Sequence, residues 1–130
     1  LAQLRAKHDP YFKMIEDHVK ELNARIPSAK IVIVPSGEAV MALRDKVIKG
    51  EAPGIRTQNE LFTDALGHPG AQIRVLSAYC HYSVIYRRSP VGLPVVSQLT
   101  KLPEAEKLNR LLQEIAWKAV AGHPMSGVVQ

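Results

Sequence analysis

The chain has 130 residues, a formal charge of +5 and a hydrophobic fraction of 46%. Its length fits one domain or part of a larger one, and its apolar content favours a packed core over intrinsic disorder. The basic residues are scattered and only Arg87 and Arg88 are adjacent, so they form no basic stripe of the kind that binds nucleic acid. The apolar runs are far shorter than the ~20 residues of a membrane span. We therefore expect neither a nucleic-acid partner nor a membrane-spanning segment.

The single cysteine, Cys80, excludes an internal disulfide and leaves the cellular compartment open. We expect it to be a small core residue. The five histidines stand apart along the chain, and no group of His, Cys, Asp and Glu has the spacing of metal ligands. The sequence therefore predicts no metal site, and nothing in it implies a cofactor.

The periodicity of apolar residues predicts five elements, of which four are helices. Asp9 and Pro10 have the form of an N-cap and a first helical residue, and Phe12 begins an apolar stripe at steps of three and four. The expected elements are a helix over about 9–25, a strand over 30–34, a helix over about 38–49, a helix over 71–88 and a helix over 103–122.

The run 30–34 is short, β-branched and unbroken, which is typical of a strand buried on both faces. A lone strand cannot satisfy its own backbone N–H and C=O groups, so it requires neighbours. We therefore expect an α/β fold, a partial three-layer αβα sandwich of the flavodoxin-like kind, mostly helical in this chain with one buried strand. The missing strands would come from an absent N-terminal segment or from a second copy of the chain.

The stretch 71–88 fits two patterns. Tyr79, Tyr82 and Tyr86 are spaced as one face of a helix, whereas the run 84–86 would also suit a strand. The length without a turn signal favours the helix. The tyrosines are either core residues, which is the commoner role of such a stripe, or the lining of a carbohydrate pocket.

One short loop, 61–70, holds an acid and a histidine between turn-forming residues. Asp64 precedes His68 by four residues, and such a pair is the minimal equipment for orienting and charging an imidazole base. The simpler alternative is a loop histidine with Asp64 capping the turn.

Ser36 follows the run 30–34 as a nucleophile would, but it lacks a G-x-S-x-G setting, and N-capping of the next helix is the better explanation.

The order of these features resembles the C-terminal half of the SGNH, or GDSL-like, hydrolases. The features are a helix, a buried strand, a Pro-Ser-Gly-Glu-Ala turn, a helix, a Gly-Glu-Ala-Pro-Gly loop, Leu-Phe-x-Asp, a histidine and a long helix. In that family a late Asp and His lie on one loop, usually as D-x-x-H, and here the matching residues are Asp64 and His68. The tail 86–94 is also similar to a segment of bacterial members.

The resemblance covers most of the chain but only one of the family's four motif blocks. It implies that residues 1–130 are a single segment, the C-terminal part of an SGNH-like domain, and that the protein hydrolyses acyl or acetyl esters of a small molecule or a carbohydrate. His68 would be the general base and Asp64 its orienting partner, with the nucleophilic serine outside this chain. The resemblance implies no cofactor.

Two features depart from the family pattern. Asp64 and His68 are four residues apart rather than three, which leaves open whether the carboxylate reaches Nδ1 of the imidazole. The chain also has neither a Gly-Asp-Ser nor a Gly-x-Asn-Asp motif.

The alternative function is a non-catalytic interaction or assembly module that completes its sheet as a homodimer. A third, nucleic-acid binding through the basic excess, predicts steeply salt-dependent association.

Overall fold

The computed structural model describes residues 1–128, and within them the chain is α-helical. Its elements are α1 (Ala2–Arg25), α2 (Ser36–Ile48), a 3₁₀ turn (Gln58–Leu61), α3 (Ala71–Tyr86) and α4 (Ala105–Gly122). The described residues form no β-sheet, and their one bridge is an isolated antiparallel pairing of Phe62 with Pro69. The expected α/β sandwich is therefore wrong. None of the helices in this part of the chain combines the length and apolar character needed to cross a bilayer.

The run 30–34 is not a strand, and the groups around it explain why. Asn23 bonds the backbone of Ile31 twice, because its Oδ1 accepts from the Ile31 N–H at 2.7 Å and its Nδ2 donates to the Ile31 carbonyl at 2.9 Å. The Ile33 N–H donates to the Met125 carbonyl at 2.9 Å. A side chain and one loop carbonyl thus stand in place of a β-ladder. The run is also not buried on both faces, since Ile31 and Val32 are each 37% exposed.

The core lies between α2, α3 and α4, and the three predicted helices that form it are confirmed. The boundaries differ by at most two residues at any end, as expected for frayed or capped termini. Apolar residues at steps of three and four along α4 place one face against α3 and α2. The fully buried apolar side chains include Ala39, Leu43, Leu61, Leu76, Cys80, Leu99, Leu108, Leu112, Ala116 and Val120.

α1 is longer than predicted and lies at the periphery. It begins at Ala2 rather than near Asp9, and Pro10 lies inside it. Pro10 has no N–H to donate, but the good helix formers over residues 2–7 continue the helix on its N-terminal side. No residue of α1 is buried. Its apolar stripe is half-buried at Phe12, whose ring lies against α2.

Gly54 requires the absence of a side chain, because an added Cβ would lie 2.3 Å from the Pro103 carbonyl oxygen. Its φ of +71° is also left-handed. Gly54→Ala should therefore cost about 1–2 kcal/mol for the backbone conformation and about 1–3 kcal/mol more for the clash. Gly50→Ala is the matched control, since Gly50 has a φ of +69° but nothing within 4 Å of the added Cβ. Equal losses in urea denaturation would contradict the contact with Pro103.

Candidate functional site

The loop from Leu61 to Gly70 is closed by its own backbone. The Gly70 N–H donates to the Leu61 carbonyl at 2.8 Å, and the Thr63 N–H donates to the His68 carbonyl at 2.9 Å. Leu61 is fully buried, which anchors the base of the loop in the core. The segment between these bonds is exposed to solvent. The loop therefore presents its acid and its histidine from a fixed base.

Asp64 and His68 are in direct contact. Oδ2 of Asp64 accepts a hydrogen bond from Nδ1 of His68 at 2.5 Å. Its Oδ1 accepts from the backbone N–H groups of Leu66 at 3.0 Å and His68 at 3.3 Å. A tight turn, in which the Gly67 N–H donates to the Asp64 carbonyl at 3.2 Å, accommodates the extra residue between them. A separation of four residues is thus compatible with the carboxylate–imidazole contact.

This contact determines which nitrogen of His68 can act as a base. In the neutral ring the proton on Nδ1 is the one that Asp64 accepts, so the lone pair is on Nε2. Within residues 1–128 the ring has no hydrogen-bond partner other than Asp64. The side chains of His68 and Asp64 are 67% and 42% exposed, so Nε2 is accessible to a reactant. The pair has the form of a general base with its orienting carboxylate.

The carboxyl pKa of Asp64 should lie below its ordinary value of 3.8. The hydrogen bond from the His68 side chain lowers this pKa most, desolvation opposes it, and the backbone N–H groups of the turn lower it further. Because the folded pKa is the lower one, the stabilisation is present above the unfolded pKa and is lost as pH falls through the folded pKa. An NMR titration of the carboxyl carbon should show the pKa rising towards 3.8 in His68→Ala. The same pKa in wild type and variant would contradict the contact.

Residues 1–128 bring no nucleophile into contact with the His68 ring, since no Ser, Thr or Cys side chain is hydrogen-bonded to it. Ser36 is the first residue of α2 rather than its N-cap, so the capping predicted for it is wrong, and its Oγ instead accepts from the Ser77 hydroxyl at 3.3 Å. Cys80 is a core residue, as predicted, and burial raises the pKa of its thiol to about 12. Neither side chain is placed to react through His68.

The helix-spaced tyrosines divide between core and surface. Tyr79 is 5% exposed, and its hydroxyl donates to Oδ1 of Asn109 at 2.6 Å, which joins α3 to α4. Tyr82 and Tyr86 pack on each other with ring centroids 4.8 Å apart, and Tyr86 is 64% exposed. The three rings therefore do not line one pocket.

His123 has surroundings that the sequence did not indicate. It is buried, and its Nδ1 accepts from the Met125 N–H at 3.1 Å. Its Nε2 lies 3.3 Å from a carboxylate oxygen of Glu16 and 3.9 Å from one of Glu38. These residues are on α1 and α2, so the imidazole lies where the peripheral helix meets the bundle, and within residues 1–128 its Nε2 makes no hydrogen bond. No local pattern could reveal this position, because His123 is distant in sequence from both acids.

Arg44 on α2 is a second side chain that the sequence did not single out. Its Nε donates to Oε1 of Gln58 at 2.7 Å, and its guanidinium carbon lies 5.5 Å from the centroid of the Phe62 ring. A cleft of about 950 Å³ runs from Arg44 to the loop that carries Asp64. Periodicity places Arg44 on a helix but not beside these groups, which come from a different segment of the chain.

No group of three or more His, Cys, Asp and Glu side chains within residues 1–128 is placed to hold a metal ion. Comparison with protein-family models, with curated proteins and with solved structures gives no match for this chain. Within residues 1–128, fold and site together define a helical bundle with an exposed Asp–His pair on a closed loop. The resemblance to the SGNH hydrolases stays a prediction.

Proposed function

We propose that Asp64 and His68 form the base half of the active site of a serine ester hydrolase that acts on acyl or acetyl esters. The observation that supports this most is the 2.5 Å contact between Oδ2 and Nδ1. A carboxylate that only caps the turn needs Oδ1 alone, and here Oδ1 accepts both backbone bonds. The second oxygen is committed to the imidazole, which is the arrangement that a general base requires.

In this mechanism Nε2 of His68 removes the proton of a serine hydroxyl while the serine oxygen attacks the ester carbonyl. Asp64 stays ionised and stabilises the imidazolium that forms. The imidazolium then protonates the departing alkoxide, which leaves an acyl-enzyme and an alcohol. Nε2 then removes a proton from a water molecule, which attacks the acyl-enzyme and releases the acid and the free serine. The serine and the oxyanion donors lie outside residues 1–130 in this proposal.

The test uses protein expressed from the whole reading frame that contains these residues. It should hydrolyse p-nitrophenyl acetate faster than buffer does. An acetylated carbohydrate assayed in parallel shows whether the preferred substrate is an ester of a small molecule or of a carbohydrate. A rate equal to the buffer rate on both would contradict the proposal.

A second candidate function, homodimeric assembly without catalysis, is favoured by a set of exposed apolar side chains. Tyr11 and Met14 on α1 are 54% and 57% exposed, and Ile31 and Val32 are also partly open to solvent. A second copy of the chain would cover such surface. Light scattering after gel filtration separates the candidates, because a dimer without esterase activity supports assembly and an active monomer supports the hydrolase.

A further inference from the structure

A cavity between α1, α2 and α3 has an apolar interior with a cation at its edge. Its volume is about 400 Å³, within the range of small-molecule sites. Its lining is mostly apolar and includes Leu4, Phe12, Val40, Met41, Phe62 and Ile73. Ser36 and Ser77 also line it. An interior of this kind accommodates a short aliphatic chain.

Arg44 borders this cavity and is held from two directions. Gln58 accepts from its Nε, and the ring of Phe62 lies beneath the guanidinium. Within residues 1–128 its terminal Nη groups have no carboxylate partner, whereas Lys46 and Lys49 nearby each form an ion pair. A fixed guanidinium with both terminal donors available matches the two oxygens of a carboxylate.

The other titratable groups that line the cavity and the adjoining cleft are His8 and Asp64, and within residues 1–128 neither forms an ion pair with Arg44. Asp64 lines the adjoining cleft, but its oxygens already accept from His68 and from backbone N–H groups. His8 lines both the cavity and the cleft and offers a ring N–H. The charge left at the edge of the cavity therefore favours an anion.

We propose that this cavity binds a linear aliphatic carboxylate, with the chain among the apolar side chains and the carboxylate on the Nη groups of Arg44. A neutral hydrocarbon would leave the guanidinium unpaired, and a small anion would leave the apolar volume unfilled. The site therefore selects a molecule with both parts. It does not depend on ester hydrolysis, because neither His68 nor a nucleophile takes part in binding.

Isothermal titration calorimetry with octanoate, 1-octanol and acetate tests both halves of the site. Octanoate should bind saturably, and the other two should bind at least about tenfold more weakly. Arg44→Gln should weaken octanoate binding by about tenfold or more, and should leave octanol binding unchanged. Arg74→Gln is the matched control, because Arg74 is exposed on α3 and does not line the cavity, and it should change octanoate binding by less than about twofold.

Three results would overturn the proposal: no saturable binding of octanoate, octanol binding as tight as octanoate binding, and equal effects of Arg44→Gln and Arg74→Gln. Circular dichroism checks that each variant is folded. If Arg44→Gln does not fold, the comparison of octanoate with octanol on the wild-type protein decides alone.

Discussion

His68→Ala should lower the rate of ester hydrolysis by about 10²- to 10⁴-fold, the usual contribution of a positioned general base. The loss should appear in kcat, because the imidazole acts as the bond to the substrate forms. The fold should be retained, since the His68 side chain is 67% exposed. Asp64→Asn should also reduce kcat strongly, because an amide no longer stabilises the imidazolium or selects the Nδ1–H tautomer.

His81→Ala is the matched control for this prediction. His81 is an exposed histidine on α3, and its Nδ1 contacts the Ser77 carbonyl at 2.8 Å. It lies outside the Asp64–His68 loop, so its removal should leave kcat unchanged. Equal rates for His68→Ala and His81→Ala would contradict the assignment of the base.

Leu112→Ala should lower the free energy of unfolding by about 2–5 kcal/mol. Leu112 is fully buried on α4, in the core shared with α2 and α3. Its truncation removes apolar contacts and leaves a cavity that the helices fill only in part. Urea denaturation followed by circular dichroism measures the change.

Leu66→Ala removes the same atoms from a side chain that is 87% exposed at the tip of the loop. It should change the free energy of unfolding by no more than about 0.5 kcal/mol. Leu112 is buried in a helix and Leu66 is exposed in a turn, so the gap between the two variants is due mainly to the packing of the bundle. Similar values for Leu112→Ala and Leu66→Ala would contradict the placement of α4 in the core.

The helices that form the core could be predicted because their signals are local. Leu108 and Leu112 are one turn apart on the buried face of α4, and their spacing shows this without knowledge of the rest of the chain. Residues 71–88 fitted both a helix and a strand, and the length of the stretch correctly favoured the helix, since α3 spans most of it.

The strand prediction failed because strand formation depends on partners. The run 30–34 has the composition of a buried strand, but its backbone pairs with the side chain of Asn23 and with the carbonyl of Met125. Met125 is far away in sequence, so no local pattern could predict that contact. The start of α1 was also predicted wrongly, because proline favours the first turn of a helix whereas Pro10 lies inside α1. The good helix formers over residues 2–7 extend the helix on its N-terminal side.

The residues of the candidate site could be named from the sequence, but their geometry could not. Spacing alone left open whether the Asp64 carboxylate reaches Nδ1 of His68, because the answer depends on the turn between them. The backbone bonds to Oδ1 and to the Asp64 carbonyl close that turn. The surroundings of Arg44 come from a segment beyond α2 and were not predictable at all.

Covalent labelling by a fluorophosphonate tests most directly whether His68 is a general base oriented by Asp64. This reagent reacts with a serine that a neighbouring base has activated. Protein from the whole reading frame should be labelled at one serine, and His68→Ala should be labelled at least about a hundredfold more slowly. Labelling of both proteins at the same rate, or of neither, would contradict the account.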